Sequence, residues 1–138
     1  MGKRSILIGG LLLSFVCLAS PNAATDRVIA FLTNAHTGVQ MRANDWLTEK
    51  ARSAELFVAF GGLDALVRQS TSTAERYGGF GSIQILDSKK EGRVYVLTAQ
   101  VRFKDDDRRR KDPSKAVSED MVWQFRVVNE GGKLLLDF

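Results

Sequence analysis

The spacing of apolar residues changes once along the chain, near Phe80, and this change constrains the fold more than any other feature. Before Phe80, apolar residues recur every three or four positions, which is the period of a helix with one buried face. After Phe80 they alternate with polar residues, which is the period of a β-strand. Helices followed by strands predict an α+β fold, with the helices covering one side of a curved antiparallel sheet.

Four helical segments are predicted before Phe80. The first is expected to be capped by Thr25 or Asp26, and its apolar residues share one stripe. A short second helix is expected to start from a cap at Asn44 or Asp45. In chain order the segments are residues 25–36, a stretch carrying Trp46 and Leu47, a buried turn or two at residues 53–60, and an amphipathic helix at residues 63–77.

Four strands are predicted after Phe80, joined by short turns into an antiparallel meander. The first strand carries Ile83 and Ile85 and is expected to end before a loop that holds Lys89 and Lys90. The side chains expected to point inward, toward the helices, are those of Tyr95, Leu97, Ala99, Val101, Phe103, Met121, Trp123, Phe125 and Val127.

The N-terminus has the three-part layout of a secretory signal. Lys3 and Arg4 give a positive start, residues 5–19 are uncharged and largely apolar, and small residues follow. The apolar run is shorter than the roughly twenty residues that a membrane-spanning helix needs. We therefore predict a cleaved signal peptide at residues 1–24, one domain at residues 25–138, and a periplasmic or secreted protein that meets the membrane only before cleavage. Small residues permit cleavage after Ala19, Ala23 or Ala24.

Charge and cysteine content exclude several function classes. Two of the 20 Lys and Arg residues lie in the signal, so 18 bases face 16 acids and the mature charge is +2. A dedicated nucleic-acid binder is usually more basic, so no nucleic-acid partner is expected. Cys17 is the single cysteine, and its removal with the signal would leave no thiol for disulfides, catalysis or metal binding.

The element order resembles the cone-shaped nuclear transport factor 2-like superfamily. The run Gly61–Leu66, the Tyr77–Gly79 exit and the Ile83–Leu86 strand resemble, more narrowly, its exported bacterial lumazine-binding-like members. The resemblance implies that helices close one end of a curled sheet and leave an apolar cavity. It implies a ligand pocket but no particular ligand, because one fold hosts unrelated functions.

The resemblance also implies that an enzyme of this fold would place its acid and base inside the cavity. The inward positions include no acid and no histidine, so no catalytic residue is predicted. His36, the only histidine, is expected in a capping or surface role at the end of the first helix. The acids Asp105, Asp106 and Asp107 lack the pattern of a calcium loop, so neither a metal nor a cofactor is expected.

Two groups of residues remain as candidate binding sites. A small apolar ligand is expected to contact large rings, and the candidates are Trp46, Phe60, Tyr77, Tyr95, Phe103, Trp123 and Phe125. A basic loop is the second group, and it is expected to be an exposed hairpin tip because the three acids before it cancel most of its field. The alternative is a site for phosphates, acidic lipid or an acidic partner. The residues of the loop are Arg108, Arg109, Arg110 and Lys111.

These features favour an exported cell-envelope binding or accessory protein without catalysis. Two alternatives stay open: a periplasmic assembly component of a secretion-type complex, and a cone-fold isomerase- or dehydratase-like enzyme. Apolar residues on the outer face of the sheet also predict a homodimer. They are Val94, Val96, Val122 and Val128.

Overall fold

The computed structural model describes residues 21–105 and 121–138. Five helices precede four strands in this part of the chain, which confirms the predicted α+β order. The helices are α1 (Pro21–Thr37), α2 (Ala43–Trp46), α3 (Glu49–Ser53), α4 (Glu55–Phe60) and α5 (Gly62–Arg76). The strands are β1 (Phe80–Glu91), β2 (Val94–Phe103), β3 (Val122–Glu130) and β4 (Lys133–Asp137). Among the described residues, no helix is both long and apolar enough to span a membrane.

Helix α1 is the central packing element between the sheet and α5. Its predicted stripe is confirmed, since the side chains at positions 28, 31, 32 and 35 are fully buried. The predicted caps are wrong, because the helix begins four residues earlier and contains Thr25 and Asp26 in its interior. Ala24, in that added turn, is fully buried in the core.

The short helices differ from their predictions in capping and burial. The N-cap residue of helix α2 is Arg42, whose side chain makes no capping hydrogen bond. The caps predicted at Asn44 or Asp45 are therefore wrong, because both residues lie inside the helix. Helix α3 has a capping hydroxyl instead, since Thr48 Oγ1 accepts from the Ala51 N–H at 3.1 Å. The backbone N–H of Thr48 also donates to the Leu136 carbonyl at 3.0 Å, which fixes this segment to β4.

The prediction that residues 53–60 are buried is wrong for most of α4. Leu56 is 85% exposed, Val58 is 59% exposed and Phe60 is 47% exposed. Only Phe57 packs partly against the core, with its ring 5.5 Å from that of Phe138. A helix of six residues has fewer than two turns, so it turns one narrow face inward and leaves its other apolar residues in solvent.

Helix α5 buries the face that its sequence predicts. Leu63, Val67, Ser70 and Ala74 are buried along one stripe. The chain leaves the helix through Gly78 and Gly79, which have φ angles of 85° and 109°. At Gly78 an added Cβ would lie 2.7 Å from the Asp105 Cβ, so both the conformation and the close approach require glycine.

The four strands form one antiparallel sheet in the order β1-β2-β3-β4, as the meander prediction requires. The predicted loop at Lys89 and Lys90 is wrong, because both residues pair with β2 and the turn is Gly92-Arg93. An irregularity between Ile85 and Asp87 shifts the register by one residue. Beyond it the inward positions of β1 are Ser88 and Lys90, which are polar, so the apolar alternation stops and the sequence predicts a loop.

The inner face of the sheet packs against α1 and carries the core. Burial alternates along β2 from Tyr95 to Phe103, which confirms the predicted inward residues of that strand. On β3, Phe125 and Val127 are buried and Trp123 is partly buried. Register places no carboxylate on the inner face of the described strands.

Candidate functional site

His36 lies in the last turn of α1 and is 2% exposed, so its predicted capping or surface role is wrong. Its Nδ1 lies 2.7 Å from the backbone carbonyl oxygen of Leu32. Since a carbonyl only accepts, Nδ1 donates, and the neutral ring then carries its lone pair on Nε2. Within the described part of the chain, Nε2 is buried and has no hydrogen-bond partner.

Three strands bring rings to this imidazole. The ring of Phe80 on β1 stacks 6.2 Å away, that of Phe103 on β2 is tilted at 6.1 Å, and that of Trp123 on β3 meets it edge-on at 6.2 Å. These contacts place the only histidine of the chain in an aromatic enclosure.

Burial lowers the pKa of His36, because the charged imidazolium would lose its water. The hydrogen bond to Leu32 acts in the opposite direction and is the smaller effect. The ring is therefore neutral at neutral pH and offers Nε2 as a hydrogen-bond acceptor.

Four of the predicted pocket residues join His36 in one group. Tyr77 packs on Phe103 with ring centroids 5.6 Å apart, and Trp123 stacks on Phe125 at 6.0 Å with an interplanar angle of 8°. Phe103 and Phe125 are buried, whereas Tyr77 and Trp123 are only partly buried. We call this group the His36 ring cluster, and it consists of His36, Tyr77, Phe80, Phe103, Trp123 and Phe125.

The other three predicted pocket residues lie elsewhere. Trp46 packs against Phe31, with centroids 6.0 Å apart. Tyr95 is buried near the start of β2, four residues before Ala99, which pairs with Trp123. The Lys90 ammonium lies 5.9 Å from the centroid of the Tyr95 ring. Phe60 is 47% exposed on α4 and does not face the interior. The pocket set predicted from sequence is therefore distributed over at least two regions.

The sequence contained a signal for the burial of His36 that the prediction missed. His36 follows Leu32 by four residues, so it lies on the same helical stripe as the buried apolar residues of α1. Closeness to the helix terminus predicts a capping or surface role, whereas the position on this stripe indicates burial.

Among the described residues, the cluster presents one imidazole acceptor and several ring surfaces. Nδ1 of His36 bonds a backbone carbonyl rather than a carboxylate. The described residues include no group of three His, Cys, Asp or Glu side chains that could hold a metal ion. The basic loop at Arg108–Lys111 and the acids Asp106 and Asp107 lie outside the described residues.

Comparison with solved structures identifies the fold. A crystal structure from Campylobacter jejuni, of a protein provisionally named a nuclear transport factor 2-like transpeptidase, aligns with a TM-score of 0.58 and 14% identity over 82% of this chain and 97% of that one. No family profile and no curated protein sequence matches the chain. The chain thus has a nuclear transport factor 2-like fold, while its narrower resemblance to the lumazine-binding-like group stays a prediction.

Proposed function

We propose that this chain is an exported binding protein of the cell envelope that takes a small, mainly apolar ligand at the His36 ring cluster. The ligand would carry one hydrogen-bond donor for His36 Nε2. The observation that carries this proposal is a buried acceptor without a partner among the described residues, surrounded by rings. Leaving such an atom unpaired costs about 1–3 kcal/mol, so a ligand donor would gain from meeting it.

Partial burial of the outer rings supports access to this cluster. Tyr77, Phe80 and Trp123 pack against the core but keep part of their surface outside it. Apolar rings give a ligand area to bury, and one fixed acceptor gives it orientation. The described inner strand positions supply no carboxylate, so we propose binding without catalysis rather than an isomerase- or dehydratase-like activity.

Two probes of nearly the same shape test the role of Nε2. 1-Naphthol has a hydroxyl donor, whereas 1-methoxynaphthalene has none. We expect 1-naphthol to bind about fivefold more tightly or better, by the value of one buried hydrogen bond. The indole N–H resonance of Trp123 should shift in NMR spectra, while that of Trp46, the other tryptophan, should not.

His36→Phe is the matched control, because it keeps a planar ring and removes the acceptor. In this variant the two probes should bind equally. Equal binding to the unmodified protein, or a shift at Trp46 alone, would contradict the proposal. Native mass spectrometry of the purified protein would identify a natural ligand if one co-purifies.

Export remains part of the proposal, and the start of α1 favours one cleavage position. The helix begins at Pro21, and Ala24 is fully buried. Cleavage after Ala23 or Ala24 would remove the first helical turn, so we expect cleavage after Ala19. N-terminal sequencing of protein from a periplasmic extract should begin at Ser20. A start at Thr25 would refute this position, and an intact Met1 would refute cleavage.

An assembly role is the second candidate, because apolar side chains are exposed on α4 and on the outer face of the sheet. Leu56 is 85% exposed on α4, and Val122 is 46% exposed on β3. Val94, Val96 and Val128 are partly buried on the same outer face as Val122. A homodimer through the sheet would cover these valines. Light scattering should detect it, and Val122→Lys should return it to a monomer, whereas Leu56→Lys should not.

A further inference from the structure

A second region of the chain, away from the His36 ring cluster, forms an open cleft of about 420 Å³. It lies where α1, α2 and the turn between β3 and β4 meet. Its lining residues are Arg27, Asp45, Gly132, Lys133 and Leu134. Apart from its neighbour Trp46, no predicted site residue marks this place.

The guanidinium of Arg27 is held in a fixed position in the cleft. Its central carbon lies 3.6 Å from the centroid of the Trp46 ring. Its Nε donates to the Leu134 carbonyl at 2.9 Å, and its Nη2 donates to the Asp45 carbonyl. These two bonds use only part of the five-donor fork of the guanidinium. A ligand therefore would not have to order this side chain on binding.

The cleft also has an excess of positive charge. Lys133 Nζ lies 3.4 Å from Asp45 Oδ1, and Arg42 Nε lies 3.8 Å from Asp45 Oδ2. One carboxylate thus faces two exposed cations as well as Arg27. Burial lowers the pKa of Arg27, and the nearby Asp45 charge opposes this as the smaller effect.

We propose that this cleft binds an oxyanion, either the phosphate or the carboxylate of a small molecule. Arg27 supplies the fixed donor fork, and Lys133 supplies a second, mobile cation. Gly132 borders open space, since a Cβ added there would meet no atom within 4 Å. This site is independent of the His36 ring cluster and of the ligand proposed there.

A simpler interpretation is that Arg27 only ties α1 to α2 and β4. Its bonds to the two carbonyls serve that role through Nε and Nη2. Lys133 adds to that tie only an exposed ion pair with Asp45, which contributes little to stability. A substitution of Lys133 therefore tests oxyanion binding while the two bonds of Arg27 stay in place.

The test uses inorganic phosphate and acetate as probes on the full mature chain, with sodium chloride at matched ionic strength. NMR should show saturable shifts of the Gly132 and Lys133 amides with phosphate or acetate but not with chloride. Comparing phosphate with acetate shows which oxyanion the cleft prefers. The Trp123 indole should stay unchanged, so this result is distinguishable from binding at the His36 ring cluster.

Lys133→Gln should weaken binding about fivefold, by the loss of one charge-assisted contact. The matched control is Lys89→Gln, which removes another exposed lysine, from β1, and should leave binding unchanged. Equal weakening by both variants, or equal shifts with chloride, would show nonspecific charge attraction and overturn the proposal. No saturable shift with either probe would overturn it as well.

Discussion

Arg27 and His36 are two basic side chains of the same helix, and burial lowers the pKa of both. Their surroundings differ. Arg27 lies against the Trp46 ring and donates to two carbonyls, whereas His36 is among rings and leaves Nε2 without a partner in the described chain. A guanidinium stays charged, so a buried one needs hydrogen-bond acceptors for its N–H groups. An imidazole can lose a proton when it is buried, and the neutral ring then has no charge to compensate. Helix α1 therefore carries one side chain that is always charged, Arg27, and one whose charge depends on pH, His36.

The two regions are joined through Phe31, which lies between them on α1. Its ring lies 6.0 Å from Trp46 on the Arg27 side and 5.6 Å from Phe125 on the His36 side. Any loss of packing at this residue should loosen both regions together.

Phe31→Ala should have the largest effect. Phe31 is fully buried, so its truncation removes a ring and leaves a cavity, which costs about 3–5 kcal/mol of unfolding free energy. Urea unfolding measures this directly. Phe57→Ala is the control, because Phe57 is only partly buried and should cost clearly less. Equal losses would show that Phe31 is not a central link.

Arg27→Met should have the second largest effect. Methionine keeps much of the apolar stem over Trp46 but removes both hydrogen bonds to the carbonyls. The cost is about 1–2 kcal/mol of unfolding free energy, because water can reach the open cleft and bind the two carbonyls instead. The loss should be the same from pH 5 to 8, since the guanidinium does not titrate there. Arg102→Met, on the exposed outer face, should change the unfolding free energy by less than about 0.5 kcal/mol. A strong pH dependence of the Arg27→Met effect would contradict this account.

His36 should make stability depend on pH. Its pKa is lowered from 6.5 in the folded protein, so between the two values the unfolded chain binds a proton that the folded chain does not. The contribution is present above pH 6.5 and is lost as pH falls below it, with a slope of at most about 1.4 kcal/mol per pH unit. Urea unfolding should show this loss in the parent protein but not in His36→Phe. As the chain has one histidine, its NMR titration gives the pKa directly, and a value above 6.5 would reverse the sign.

The sheet and the long helices were predictable because each buries one regular face. Along β2 every second residue from Tyr95 is buried, and along α5 the buried residues keep the helical period. The same reasoning failed at α4, where Leu56 and Phe60 look like core residues but are exposed. An apolar residue type favours burial but does not ensure it, because a six-residue helix can place only part of its surface against the core.

The candidate sites were less predictable than the fold, since they depend on contacts between distant parts of the chain. Trp46 was recognised as a ring of interest, but its contact with Arg27, nineteen positions earlier, follows from how α1 and α2 pack. The cleft also needs Lys133, at the opposite end of the sequence from Arg27. His36 is different, because its spacing of four residues from Leu32 already places it on the buried stripe of α1.

Lys133→Gln should have the smallest effect on stability, although it is the variant expected to weaken oxyanion binding. Its ion pair with Asp45 joins side chains that are 59% and 48% exposed, and such pairs contribute about 0–1 kcal/mol. We expect a loss of less than about 0.5 kcal/mol by urea unfolding, similar to that of Lys50→Gln, which removes the pair between the exposed Lys50 and the partly buried Asp137. A much larger loss would assign Lys133 to the structural tie made by Arg27. A small loss would leave Arg27 as the structural cation of the cleft and would show that Lys133 can leave Asp45 for a ligand at little cost.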